Sequence, residues 1–147
     1  MDAVTDNELE RQLQVYGDLA VKVGLSLRAG QRLLIVGPLA SGGVSLEAAS
    51  LVRHVAASAY RAGASLVEAI WGDEQLQMIR FKDAPPDSFH EYSAWLLHAL
   101  VEHVESGNAV LSIYANDPDQ LKDQLPERIT AAQRATARGV QAFRELV

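Results

Sequence analysis

The sequence contains no cysteine, which removes disulfide staples, thiolate nucleophiles and zinc sites of the Cys type and fits a reducing compartment such as the cytoplasm. Positive charge is also scarce: 13 Lys and Arg stand against 19 Asp and Glu, for a formal net charge of −6. Phosphate-tracking surfaces are built from clustered Lys and Arg, so this balance argues against a nucleic-acid partner. Arg128, Arg134, Arg138 and Arg144 do gather late in the chain, but on a helix they scatter among Glu127 and Glu145 as a solvated face. No apolar run approaches the roughly 20 residues of a membrane-spanning helix. The opening Met1 to Asn7 lacks the basic and apolar regions of a secretory signal.

What remains is the composition of a water-exposed domain with a sizeable core. The 147 residues are 48% hydrophobic and 22% charged, which is one domain's worth of chain. Gln31 to Glu74 reads as a strand (Arg32 to Gly37), a crossover helix (Ser45 to Ala62, with Leu46, Ala49, Val52, Ala56 and Ala59 on its inner side) and a second strand (Ala64 to Trp71). A crossover of that length joins parallel strands, so the unit is a right-handed βαβ. Before it, Leu9, Leu13, Tyr16, Ala20 and Val23 make one apolar stripe on a helix from Asn7 to Val23, with Gly24 as its left-handed cap and a turn at Ala29-Gly30. After it come a short helix capped by Asp73, a break at Pro85-Pro86 and a helix from Ser93 to Glu105. A third strand, Ala109 to Tyr114, is followed by a helical turn opened by Asn116-Asp117-Pro118 and a last helix from Pro126 carrying Ile129, Ala132, Ala135, Ala142, Phe143 and Leu146. The fold class is α/β: a three-layer αβα domain with a short, mostly parallel sheet of at least three strands flanked by helices.

The loop Gly37 to Val44 has the glycine spacing of a phosphate-binding loop, but Gly43 and Val44 stand where that loop needs Lys and Ser or Thr. The strand ends present Asp73, Glu74, Asp117 and Asp119, an acidic rim that repels phosphate. Nucleotide binding is therefore disfavoured, and the loop reads as a flexible strand-to-helix turn. In an open α/β sheet ligands lie outside the carboxyl ends of the strands. With strand order 2-1-3 the crevice lies between the 37–43 and 116–119 loops, and Ser41, Asp73, Asn116 and Asp117 form its candidate rim, suited to a cation or amine; helix capping is the more common role of these residue types. For metal, His98, Glu102 and Glu105 share a helix face but need further ligands from elsewhere, while His103 sits among leucines as a packing residue. There is no nucleophile elbow. Trp71, Tyr92 and Trp95 make either a ligand wall or, the more usual fate of aromatics, part of the core.

Taken together, Asp18 to Gln31, Ala59 to Ala64, Gly72-Asp73-Glu74, Ala94-Trp95-Leu96 and Asn116-Asp117-Pro118 resemble, in order and spacing, the amino-terminal domain of the thermophilic metal-dependent aminopeptidases, taken here as the dimetal, leucyl aminopeptidase type. The resemblance implies a cytoplasmic exopeptidase acting on peptides, with two divalent metals such as zinc or cobalt, and a homodimer built around an internal cavity. It places the metal ligands in a carboxyl-terminal domain that follows the segment matched here, so residues 1–147 form a single non-catalytic domain with no catalytic, cofactor or metal residue of its own. The alternative is a stand-alone binding or interaction module without a catalytic half.

Overall fold

Four successive buried side chains, Leu33, Leu34, Ile35 and Val36, make the first strand the axis of the molecule. In the computed structural model, which describes residues 3–38, 42–115, 118–141 and 145, this strand is β1 (Arg32–Val36). It lies between β3 (Leu66–Ala69) and β5 (Ala109–Ser112), parallel to both, in the order β3-β1-β5. Because side chains alternate across a strand, β1 feeds two cores. Leu33 and Ile35 pack with Val21, Val52, Val55 and Ala59 on one face. Leu34 and Val36 pack with Leu96, Leu97, Leu100 and Val140 on the other. The first set comes from α1 (Ala3–Leu19, extended by a wide turn at Ala20–Gly24) and α2 (Ala49–Arg61). The second comes from α4 (Ala94–Glu105) and the end of α5 (Pro126–Gly139). Helices on both faces of a parallel sheet give the expected three layers.

Three local expectations are corrected by packing. The α1 stripe is rotated: Leu9, Tyr16 and Val23 face outward, while Gly17 and Val21 are buried. A Cβ at Gly17 would stand 3.1 Å from the His54 carbonyl carbon and the Val55 nitrogen, so α1 turns its glycine, and not its largest apolar side chains, toward the α2 backbone. Gly24 is not the left-handed residue; Leu25 N–H bonds back to Ala20 O at 2.9 Å, closing a wide turn, and the positive φ falls on Ser26 at 48°. The second strand is two. Ile70 donates its N–H to Ile35 O at 2.9 Å and accepts from Val44 N–H at 2.7 Å, so the chain leaves β1 there and continues as β4 (Trp71–Gly72) beside a short β2 (Val44–Ser45).

That change of partner shortens the crossover helix. A single turn at Leu46–Ala48 precedes α2, Leu46 is exposed, and Ser58 joins Val52, Val55 and Ala59 on the buried side. Gly63, at φ 99°, ends α2 as expected. Asp73 caps α3 (Glu74–Asp83) by accepting from Gln75 N–H at 3.0 Å. Ser93 precedes α4 without a side-chain cap. From Pro118 to Gln124 the chain makes tight turns, with Lys122 N–H on Asp119 O and Gln124 N–H on Leu121 O, and no helix begins before Pro126. The expected core residues Ala142, Phe143 and Leu146 lie outside the described residues.

Candidate functional site

In the order β3-β1-β5 the crossover from β1 to β3 and the one that returns from β3 to β5 lie on opposite faces of the sheet, so β1 and β5 flank the switch point where α/β sheets open a crevice. Of the four candidate rim residues, Ser41, Asn116 and Asp117 lie outside the described residues. Asp73 is described, and its Oδ1 is occupied by the α3 cap. The glycine-bearing loop is not a free turn. A Cβ on Gly37 would collide with the backbone of Gly43, and one on Gly43 would collide with the backbone of Ile70 to Gly72. The two glycines exist to let three backbone segments touch where β2 joins β4, so the spacing that imitates a phosphate loop has a steric cause.

Beside Asp73 opens a cavity of about 620 Å³ between β4, α3, α4 and α5. Trp71, Leu76, Ile79 and Tyr92 supply apolar and aromatic wall, and Asp73 and Glu91 supply carboxylates. Trp71 is 41% exposed, Tyr92 48% and Trp95 72%, so none of the three aromatics is core. Trp71 and Tyr92 line the cavity and Trp95 does not. The guanidinium on the wall, Arg80, is engaged elsewhere: it donates to Glu91 O at 3.2 Å and lies 5.5 Å from the centroid of the Phe89 ring.

Phe89 itself, 1% exposed, is a residue that sequence reasoning missed. It is held between Arg80 and Arg128, whose guanidinium lies 5.3 Å from the ring centroid, and Phe81 at 5.4 Å. Arg128 also donates to Phe81 O at 2.8 Å, so it is not part of the solvated basic face. Only an aromatic three residues past a Pro-Pro break marked Phe89 in the sequence, and nothing local pairs it with Arg128. On the far side of α5, Arg134 and Arg138 share a shallow pocket of about 500 Å³ with His90.

A second constellation ties α1 to α2. Glu10 accepts from Ser50 Oγ at 2.9 Å and meets His54 Nε2 at 2.7 Å. The hydrogen bond to His54, then that to Ser50, holds the Glu10 carboxyl below its ordinary range. Both partners bond to the carboxylate and not to one another, so these residues lack the serine-to-histidine proton path of nucleophilic catalysis. They form a clamp. Two turns along, Asp18 pairs with Arg61 at 3.0 Å. The Ser58 hydroxyl beside it, short of good hydrogen-bond geometry, and then the Arg61 guanidinium hold its carboxyl below the usual value.

His98, Glu102 and Glu105 are exposed, and His103 bonds Ala109 O at 2.8 Å. Among the described residues no three His, Cys, Asp or Glu side chains group closely enough to hold a metal ion. His98, Glu102, Glu105 and His103 therefore do not make a metal centre among the described residues.

The family described as thermophilic metalloprotease (M29) matches residues 9–147; it is separate from the leucyl aminopeptidases, which corrects that part of the sequence expectation. Aminopeptidase 2 of Geobacillus stearothermophilus is 41% identical over 141 residues, covering 96% of this chain and 32% of the relative. Aminopeptidase T of Thermus thermophilus is 34% identical over 138 residues, covering 94% and 32%. The solved structure of wild-type AmpT from Thermus thermophilus superposes with a TM-score of 0.84 at 34% identity, over 93% of this chain and 33% of that one. The chain thus spans about a third of the length of the curated relatives it matches.

Proposed function

The chain belongs to the thermophilic metalloprotease (M29) family, and on that footing we propose that it is the amino-terminal, non-catalytic domain of a metal-dependent aminopeptidase, walling the cavity through which peptides reach a catalytic region. The observation that carries this reading is coverage: nearly all of this chain matches, yet it accounts for only 32% of relatives named as aminopeptidases. The described residues offer no grouped metal ligands, which is consistent with the catalytic metals residing on another part of the family-length protein. Activation of water and stabilisation of an oxyanion would be the work of those divalent ions, zinc, cobalt or similar. A homodimer and a cytoplasmic setting belong to the same proposal.

The test is a graft. This chain should give no turnover of leucyl-p-nitroanilide with cobalt or zinc, whereas the same 147 residues exchanged for the matching third of Geobacillus stearothermophilus aminopeptidase 2 should sustain metal-dependent hydrolysis. Turnover by the isolated chain would refute the non-catalytic reading. If the relative with its matching third deleted folds and still cleaves short and long peptides with the parent's selectivity, the walling role is refuted.

A further inference from the structure

The cavity beside Asp73 has a chemistry of its own. Its volume of about 620 Å³ falls within the range of small-ligand sites, roughly 300–1,000 Å³. Buried Leu96 and Leu97 give it an apolar floor, exposed Leu76 and Ile79 form part of its wall, and two aromatic rings, Trp71 and Tyr92, stand half-exposed beside them. Solvated aromatic rings in a pocket present π faces that attract cations, most strongly where water is partly excluded. Two carboxylates face the same space. Asp73 has one oxygen committed to Gln75 N–H, and among the described residues its other oxygen has no hydrogen bond and Glu91 forms no ion pair.

The Arg80 guanidinium on the wall is oriented by the backbone oxygens of Ser88 and Glu91 and by the Phe89 ring; it keeps its charge, which stands against the two carboxylates of Asp73 and Glu91. The positive end of α3 is met by the Asp73 side chain, which offsets the partial charge of a helix N-terminus. At α4 no side chain caps the first turn; Ala94 N–H is taken by Tyr92 O, which leaves the next N–H groups of that turn for a neutral carbonyl oxygen. An ammonium group, an adjoining apolar side chain and a carbonyl next to both are the features of one chemical object.

We propose that this cavity binds the protonated amino end of a short apolar peptide, the ammonium between the Asp73 and Glu91 carboxylates and the Trp71 and Tyr92 rings, and the first side chain on Leu76, Ile79 and Leu97. The inference deepens the aminopeptidase reading and takes from it only that the amine is a peptide's. It assigns the domain a holding site for substrate in addition to a wall.

The experiment follows the two tryptophan indole N–H signals of the 15N-labelled 147-residue chain by NMR while leucyl-leucinamide is added. Trp71→Phe identifies which signal belongs to the cavity. The expected result is a saturable shift of the Trp71 signal, with that of Trp95, outside the cavity, nearly still. Acetylating the peptide's amine removes its charge and should weaken binding about tenfold. Glu91→Gln should weaken the free-amine peptide about twofold to fivefold. Three results would each overturn the proposal: no saturable shift at Trp71 up to about 50 mM peptide, equal binding of the acetylated form, or stronger binding of the anion N-acetylleucine. The comparison of free and acetylated peptide uses the unaltered chain, so it decides even if Glu91→Gln fails to fold. Any of these failures leaves the graft's metal-dependent hydrolysis untouched, so loss of this site and loss of the family reading are told apart.

Discussion

Replacing Phe89 by Ala should be among the most damaging single changes available to this domain. The ring is 1% exposed, and a buried aromatic removes on the order of 150–250 Å² from water. At about 25 cal/mol per Å² that corresponds to roughly 4–6 kcal/mol for the whole side chain, of which Ala retains a part, so truncation should cost about 3–5 kcal/mol. Two guanidinium contacts at 5.5 and 5.3 Å are lost as well, each about 0.5–1 kcal/mol for a partly solvated pair. Phe89→Leu separates the contributions, because it keeps most of the apolar volume and deletes the ring. The assay is urea unfolding followed by far-UV circular dichroism, with Phe89→Leu, Arg128→Met and the double variant closing a thermodynamic cycle. A coupling of about 0.5–1 kcal/mol between ring and guanidinium is expected. Destabilisation of Phe89→Ala by less than about 1 kcal/mol, the central value for arbitrary substitutions, would refute the claim that Phe89 joins α3 to α5.

The other expectations concern close backbone contacts and the α1–α2 clamp. Gly37→Ala should cost about 2 kcal/mol or more, since its Cβ meets the rigid backbone of Gly43 and not a mobile side chain; an unchanged urea midpoint would contradict this. Gly139→Ala gains about 1 kcal/mol of helix propensity, yet its Cβ would lie 2.5 Å from Leu97 Cδ1 and 2.6 Å from Tyr92 Cδ2. Net destabilisation together with a perturbed Trp71 fluorescence is therefore expected, and a more stable protein would show that the helix was free to shift. The Glu10 carboxyl is held below its ordinary range by His54 and Ser50, so its contribution is present above the unfolded-state value and lost as pH falls through the folded one. Glu10→Gln should accordingly lower the melting temperature at neutral pH and converge with the parent in acid. A constant gap across the acid limb would remove the clamp from the account.

How far the sequence could be read differs from element to element. The apolar run Leu33 to Val36, flanked by a turn glycine with φ 86° at Gly30 and by a helix ending at Gly63, identified β1 and its parallel crossover from local information alone. Asp73 was legible as a cap for the same reason. The rotation of α1 was not, because Leu9, Tyr16 and Val23 satisfy a helical period as well as Leu13, Gly17 and Val21 do, and only the approach of α2 selects between them. The split at Ile70 was hidden too, since a strand that changes partners mid-run keeps the same composition. In the candidate site, carboxylates at strand ends were foreseeable from topology, whereas Tyr92, Glu91 and Leu76 enter the cavity from segments that carry no motif.

By itself, the sequence determined the class of the fold, the absence of thiol chemistry, the unsuitability of the 37–44 loop for phosphate and a resemblance carried by blocks spread along the chain. These follow from composition, period and residue identity, which are local properties. The tertiary structure decided which face of each helix is buried, why Gly37 and Gly43 are glycines, that Arg128 is a structural partner of Phe89, and that Trp71, Tyr92, Asp73 and Glu91 surround one space. Each of these is a contact between residues far apart in the chain, and its energy does not exist until the backbone has brought them together.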